Sequence, residues 1–410
     1  MTIFPLALSD LLGHWGAYSI YALIGFAFGF VLEIAGFGNS RKLAGQFYLR
    51  EMTVLKVMFG AIITAMVLIF FSTAIGLLDY NLIWVNPTYL VPGIVGGLIM
   101  GVGFIIGGFC PGTSLVSAAT LKLDGIMFVL GVFFGIFLFG ETVGFYEGFW
   151  HSTNMGRFTL MDLFGVSAGV IIVLIVIAAV LAFVVAELAE KYIGKMDLAQ
   201  FGRWRYGAAV TIVLAAVAVW FIGQPTNADK WASIADDRAQ QLTQRDVQIH
   251  PAELLDNISD PKRNVVMLDV RSETDFNQFH LLDARHVPLA QIESYATDLR
   301  LLPADTLYVV MSNDEVAATD AWRILTAESV PNVYILAGGI NHWLATYADE
   351  QFVSEHRITP IVNDTLAYDL PLALGARYPA AHPDPHGFQI EYQSKVKIES
   401  RRGPASGGCG

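Results

Sequence analysis

Residues 97–114 read Gly-Leu-Ile-Met-Gly-Val-Gly-Phe-Ile-Ile-Gly-Gly-Phe-Cys-Pro-Gly-Thr-Ser. This stretch decides the fold. Residues 97–109 carry no charged or polar side chain, continue an apolar run from residue 90, and place Gly97 and Gly101 one helical turn apart. About 20 such residues cross the ~30 Å hydrocarbon layer of a bilayer, and small residues four apart let helices approach closely. Pro111 and Gly112 then stop the helix, and Thr113 or Ser114 can cap a new one. The stretch predicts a membrane helix that breaks and restarts.

A second copy lies upstream. Residues 25–38 read Gly-Phe-Ala-Phe-Gly-Phe-Val-Leu-Glu-Ile-Ala-Gly-Phe-Gly, and a shift of 72 aligns Gly25 with Gly97, Gly29 with Gly101, Gly36 with Gly108 and Phe37 with Phe109. For the first two pairs helix packing alone is as good a reading as a functional one. The later pairs open chain-breaking runs, Gly36 to Ser40 and Gly107 to Ser114, and paired broken helices point to a transporter's binding site. Free amides and the positive dipole end of a helix starting after Pro111 suit an oxoanion of sulfur. Cys110 stands just before that start, where the dipole favours a thiolate. A small buried cysteine at a helix end is the bland alternative. Glu33, mid-span, is either functional or paired inside the bundle.

Working outward, the 410 residues are 54% hydrophobic and 15% charged, with a mean hydropathy of +0.51. These values exclude a disordered chain and argue against a wholly soluble enzyme. Apolar stretches near 16–37, 52–76, 90–109, 125–140, 163–186 and 206–223 predict six membrane spans, the fourth one short. No basic n-region or small-residue cleavage site opens the chain, which argues against a cleaved signal peptide. Arg41, Lys42, Arg50, Lys122, Lys191, Lys195, Arg203 and Arg205 fall in alternate loops, and Arg157 falls on the opposite side. The basic loops face the cytoplasm by the positive-inside rule, so six spans put residues 223–410 in the periplasm or exterior. A re-entrant span would reverse that side.

Nearly all of the net charge of −12 lies beyond residue 222. That acidic balance argues against nucleic acid as a partner. After a polar linker at 223–246, with a short helix, apolar runs at 265–270, 307–311 and 333–336 alternate with a helical pattern at 314–328. This predicts an α/β domain with a parallel sheet. His382 and His386, split by two prolines, read as an extended linker rather than a metal pair. Cys110 and Cys409 lie in different halves and form no disulfide framework. No haem-attachment, zinc, Walker A or dinucleotide motif occurs, and no cofactor is expected.

The glycine repeat, with Gly-Phe-Gly-Asn-Ser-Arg-Lys-Leu-Ala at 36–44 and Gly-Gly-Phe-Cys-Pro-Gly-Thr at 107–113, resembles the YeeE/YedE family, which includes thiosulfate transporters. The resemblance covers about 16–222 and implies a path along which cysteines pass a sulfur anion by weak S–H···S contacts. Cys110 carries over; the matching position of the first repeat is Gly38. The chain has roughly half the spans of a full-length member. Residues 247–346, with Leu-Asp-Val-Arg at 268–271, His280, His286-Val-Pro and Leu-Ala-Gly-Gly-Ile-Asn-His-Trp at 336–343, resemble a rhodanese domain. The resemblance implies a sulfur-bearing Cys-x-x-Gly-x-Arg loop, but Ser312-Asn313-Asp314-Glu315-Val316-Ala317 stands there. Serine offers no low-pKa thiolate, and two acidic residues repel an anion, so this domain is expected to be inactive.

The last segment, 347–410, is expected to be an extended arm, basic from Lys395 to Arg402. Its Gly-Gly-Cys-Gly ending at 407–410 resembles the swinging arm of the Sox sulfur-carrier subunit, which implies that Cys409 bears sulfur, with Arg401 and Arg402 nearby to hold an anion. The expectation is a multi-pass inner-membrane protein that binds or moves a small sulfur species (thiosulfate, sulfide or sulfane sulfur). Its site comprises Glu33, Gly38, Cys110, Pro111, Gly112, Thr113 and Ser114, with Cys409 as carrier. The alternative is an oligomeric membrane scaffold for sulfur-oxidising or respiratory enzymes that moves nothing itself.

Overall fold

A computed structural model describes residues 4–398, apart from 7, 84, 196–201, 203, 359–362, 371 and 389. The chain divides at Gln224–Pro225 into two compact units.

The first unit is helical. Its long helices are α1 (Leu8–Ile34), α3 (Thr53–Ala74), α4 (Leu90–Gly107), α6 (Leu123–Thr142), α9 (Ala168–Tyr192) and α10 (Trp204–Ile222), with short helices α2 (Ser40–Gly45), α5 (Pro111–Ala119), α7 (Glu147–Trp150) and α8 (Leu160–Phe164) between them. Among the described residues six helices are long and apolar enough to cross a bilayer, α4 and α5 counting as one. The fourth is not short. Leu123 and Asp124 at one end and Glu141 and Thr142 at the other extend the helix beyond its apolar run to 20 residues. The fifth begins at Ala168 rather than near 163, because Gly165 ends α8 in the left-handed region (φ +62°).

Helices α3, α9 and α10 pack around Ile63, Val67, Ile172, Val176, Ala179, Ala216 and Val219. The approach is close: a Cβ on Gly169 would lie 2.8 Å from the Trp220 Cα, the small-residue contact that drives association where lipid is as apolar as leucine. At one end Glu190 is fully buried and accepts from the Met52 amide (2.7 Å) and Lys56 Nζ (2.5 Å). Pairing and hydrogen bonding are what make a buried carboxylate tolerable.

The second unit is α/β. Strands β1 (Gln248–Ile249), β2 (Val265–Asp269), β3 (Arg285–His286), β4 (Leu307–Met311) and β5 (Val333–Leu336) form one parallel sheet in the order β1-β5-β4-β2-β3. The middle strand β4 is buried along its whole length, as a strand covered on both faces must be. Helices α11 (Asn227–Thr243), α12 (Pro251–Ser259), α13 (Glu273–Gln278), α14 (Ile292–Leu299), α15 (Val316–Ala327), α16 (Gly339–Tyr347) and α17 (Glu350–His356) complete the unit.

Two segments differ from the sequence reading. The expected linker at 223–246 contains a 17-residue helix, α11, started by a reciprocal cap between Thr226 and Asp229. It lies on α15, with the Trp231 ring edge-on to Trp322 at 6.0 Å, Lys230 paired with Glu328 at 2.7 Å and Asn227 donating to the Ile324 carbonyl. Among its described residues, the segment expected to extend as an arm from residue 347 packs on the α/β unit as far as residue 397. Leu366, Tyr368, Leu370, Ala380 and Ala381 enter the core. Buried Glu253 then accepts from the Lys395 and Val396 amides (2.7 and 2.8 Å) and Ser394 Oγ (3.0 Å), while Lys395 Nζ caps the Arg245 and Gln248 carbonyls. His382 and His386 sit within and beside short turns spanning 379–387.

Candidate functional site

The two helix breaks meet. Helix α1 ends at Ile34 and Gly36 turns the chain with φ +80°; α4 ends at Gly107 and Gly108 does the same with φ +71°. Only glycine adopts this conformation at little steric cost. The next residue in each copy, Phe37 and Phe109, turns inward and is fully buried, in one cluster with Leu32, Leu43 and Val54. A Cβ on Gly108 would lie 3.1 Å from both the Cβ and the carbonyl oxygen of Ser40, so the second break rests against the start of α2.

Polar contacts tie the copies together. Ser40 Oγ donates to Asp124 (2.9 Å), Lys122 Nζ donates to the Gly38 carbonyl (2.9 Å), and Lys122 lies 3.7 Å from Glu33. Lys42 Nζ donates to the Ala35 carbonyl, one of the acceptors that the end of α1 leaves open. Asn39 caps α2 by accepting from the Arg41 and Lys42 amides.

The cap of α5 differs from the expected one. Cys110 itself is the N-cap residue, with extended backbone, and Pro111 fills the first helical position, where its missing N–H costs nothing. Thr113, expected to cap, reaches back instead. Its Oγ1 accepts from the Cys110 amide at 3.0 Å and lies 3.3 Å from Cys110 Sγ. Ser114 Oγ donates to the Pro111 carbonyl. Cys110 is a free, half-buried thiol. Thus Glu33 and Gly38 are brought together with Lys122, and Cys110 to Ser114 form the opposing break. Sequence reading missed Lys122, Ser40 and Asp124 as members of this cluster. Lys122 counts in the sequence only as a loop charge, although it stands beyond the short helix that follows the second break, at the start of α6.

In the α/β unit the loop after β4 is closed by its own side chains. Ser312 is fully buried and its Oγ accepts from the Ala318 amide (3.2 Å). Asp314 accepts from the amides of Glu315, Val316 and Asp364; Asp364 in return accepts from the amides of Asp314 (3.1 Å) and Ala317 (2.9 Å). Glu315 accepts from the Gly338 amide and pairs with Arg245 at 2.6 Å. Asn313 is held by Arg271, Asp275 and the Asp364 carbonyl. Burial pushes the Asp314 carboxyl up, but the amides of Val316, Asp364 and Glu315 outweigh it and hold the group below the ordinary aspartate range. Amides that could cradle an anion at the start of α15 already bind carboxylates of the chain. Cys409, Arg401 and Arg402 lie outside the described residues.

A multi-pass helical unit with an internal repeat of broken helices, followed by a parallel α/β unit, defines a membrane protein carrying an α/β domain. A family model for sulphur transport matches residues 35–244, half of the chain, and a rhodanese-like domain model matches residues 250–346. The chain belongs to the sulphur-transport family. That match runs through α11, beyond the boundary between the two units at Gln224–Pro225. No curated protein and no solved structure matches the chain. The protein is a sulfur-related, multi-pass membrane protein with a rhodanese-like domain.

Proposed function

We propose that the membrane unit binds and conducts a small sulfur anion at the paired helix breaks, past Cys110. The observation that carries this reading is the meeting of the two breaks, Gly36–Asn39 and Gly108–Cys110, each followed by a short helix; Asn39 takes the first amides of α2, and Cys110 stands at the start of α5. Such a helix start attracts an anion, and a polarizable thiol beside it suits sulfur better than a hydroxyl. Pro111, Gly112, Thr113 and Ser114 shape that start, and Gly38 and Glu33 belong to the site from the first repeat. Thiosulfate is the substrate to test first, with sulfide and sulfane sulfur behind it.

The soluble unit, in this reading, performs no sulfurtransfer and acts as a docking body on the periplasmic or outer face, and Cys409 receives or carries the sulfur. The orientation rests on the basic loops and an even number of spans. Uptake of radiolabelled thiosulfate by proteoliposomes holding the full chain tests transport: Cys110→Ala abolishes it if the reading is right. Wild-type protein with no flux, copurifying with a sulfur-oxidising enzyme, establishes the scaffold instead. The intact mass of the C-terminal peptide, purified without reductant, tests the carrier: a sulfur adduct on Cys409 supports it, and a bare thiol after thiosulfate treatment removes it.

A further inference from the structure

We propose that Lys122 is the cation that selects the anion at the helix breaks, and that Glu33 is its resident counter-ion, displaced when the anion arrives. This rests on the reading of the breaks as a sulfur-anion site. Lys122 Nζ donates to the Gly38 carbonyl at 2.9 Å, which aims its charge at the first break. Its carboxylate partner, Glu33 Oε1, is 3.7 Å away, beyond hydrogen-bond distance. The two side chains are 42% and 44% exposed, so packing within the chain locks neither and Glu33 has room to leave.

The local backbone makes space for this meeting. A Cβ on Gly38 would lie 2.7 Å from Glu33 Oε2 and 3.0 Å from Lys122 Nζ, so the two head groups occupy the space beside the glycine that a side chain would make them leave. In the repeat register Gly38 corresponds to Cys110, so the space a cysteine would use in the first copy holds an acid and a base. The neighbouring charges are engaged elsewhere: Lys42 with the Ala35 carbonyl and Glu51, and Asp124 with Ser40. An oxoanion in the place of the Glu33 carboxylate would gain short, charge-assisted bonds from Lys122 that Glu33 does not make. A purely structural staple between the repeats would treat both residues alike; a displaceable counter-ion treats them as opposites.

The test is thiosulfate binding to the full chain in nanodiscs, by calorimetry, for wild type, K122Q, K122R, E33Q and the double variant E33Q/K122Q. Losing a charged hydrogen bond weakens binding about tenfold in K122Q, and K122R stays within about threefold of wild type. E33Q, freed of the competitor, binds about threefold or more tightly than wild type, and the double variant falls below it. A gain of affinity cannot come from misfolding, which keeps E33Q informative even if K122Q is unstable. Wild-type binding with both single variants shifted in the same direction, or with neither shifted, overturns the counter-ion assignment. Wild-type protein that binds no thiosulfate and no sulfide overturns the underlying reading, and this proposal with it.

Discussion

Gly36 and Gly108, one in each copy of the repeat, both hold left-handed backbone, at φ +80° and +71°, and each turns a buried phenylalanine into the same cluster. The repeat is therefore a repeat of a conformational event as well as of letters. A helix ends on glycine, a phenylalanine anchors the turn, and a short helix restarts. At the first break Lys42 meets the Ala35 carbonyl and Lys122 the Gly38 carbonyl, while Ser40, against which the second break rests, bonds Asp124.

Replacing Gly108 with alanine tests the geometry. Alanine in left-handed backbone costs about 1–2 kcal/mol, and its Cβ would press on Ser40 at 3.1 Å, part of it rigid carbonyl. Gly36→Ala meets the flexible Lys42 side chain instead, at 3.0 Å from Nζ, so Gly108→Ala is expected to be the more damaging of the two. Gly101→Ala, where a Cβ meets nothing within 4 Å in a regular helix, is neutral or stabilises by up to about 1 kcal/mol. Thermal unfolding in detergent ranks the three; a Gly101 variant melting below the Gly108 variant would contradict the assignment.

Restoring the missing nucleophile does not restore sulfurtransfer. In Ser312→Cys the thiol lies on a fully buried residue, and the surrounding amides stay occupied by Asp314 and Asp364. An anionic donor has to expel two carboxylates to reach it. Thiosulfate-to-cyanide transfer by the full chain is expected to remain at background. Turnover in the single variant would mean that the loop opens readily and that serine alone silenced it.

The membrane half was legible because hydrophobic run length and chain breakers act locally: Gly36, Gly108 and Pro111 impose their geometry through their own φ or missing N–H. Strands β2, β4 and β5 were legible for the same reason, as continuous apolar runs; β1 and β3, two residues each, carry too short a pattern to read. What escaped was long-range. Lys122 joins Glu33 only because the repeats face one another, and no local pattern tells a loop lysine from a site lysine. The linker's helix was legible but not its 17-residue length or its packing, because α11 holds α15 through Lys230, Asn227 and one tryptophan. The arm beyond residue 347 was misjudged because its anchor, Glu253, sits far upstream.

Trp231→Ala distinguishes a packed helix from a tether. The edge-on Trp231–Trp322 pair contributes about 0.5–1.5 kcal/mol beyond its buried area, so its loss frees α11 while Lys230–Glu328 remains. Limited proteolysis of the full chain is expected to spare 227–243 in wild type and cut it in the variant. Equal cleavage of both proteins would restore the linker reading.

The loop after β4 carries a pH dependence whose sign follows from Asp314. Its folded carboxyl titrates below the ordinary value, held there by amides of Val316, Asp364 and Glu315 against the effect of burial. A depressed carboxylate contributes stability that is fully present above its unfolded pKa of about 3.9 and is lost as pH falls through the folded value. Protonation then takes an acceptor from three amides, and the segment at Asp364, bound through the same network, loosens with the loop. Hydrogen exchange of the full chain, corrected for intrinsic rates, is expected to show amides 315, 316 and 364 protected at neutral pH and deprotected only as pH falls through the folded Asp314 value, below the ordinary aspartate range. Asp314→Asn brings that loss to neutral pH, at a cost of about 1–3 kcal/mol, because an amide cannot accept from all three donors. Protection that survives both acid and the Asn variant would show that Asp364 alone holds the loop shut.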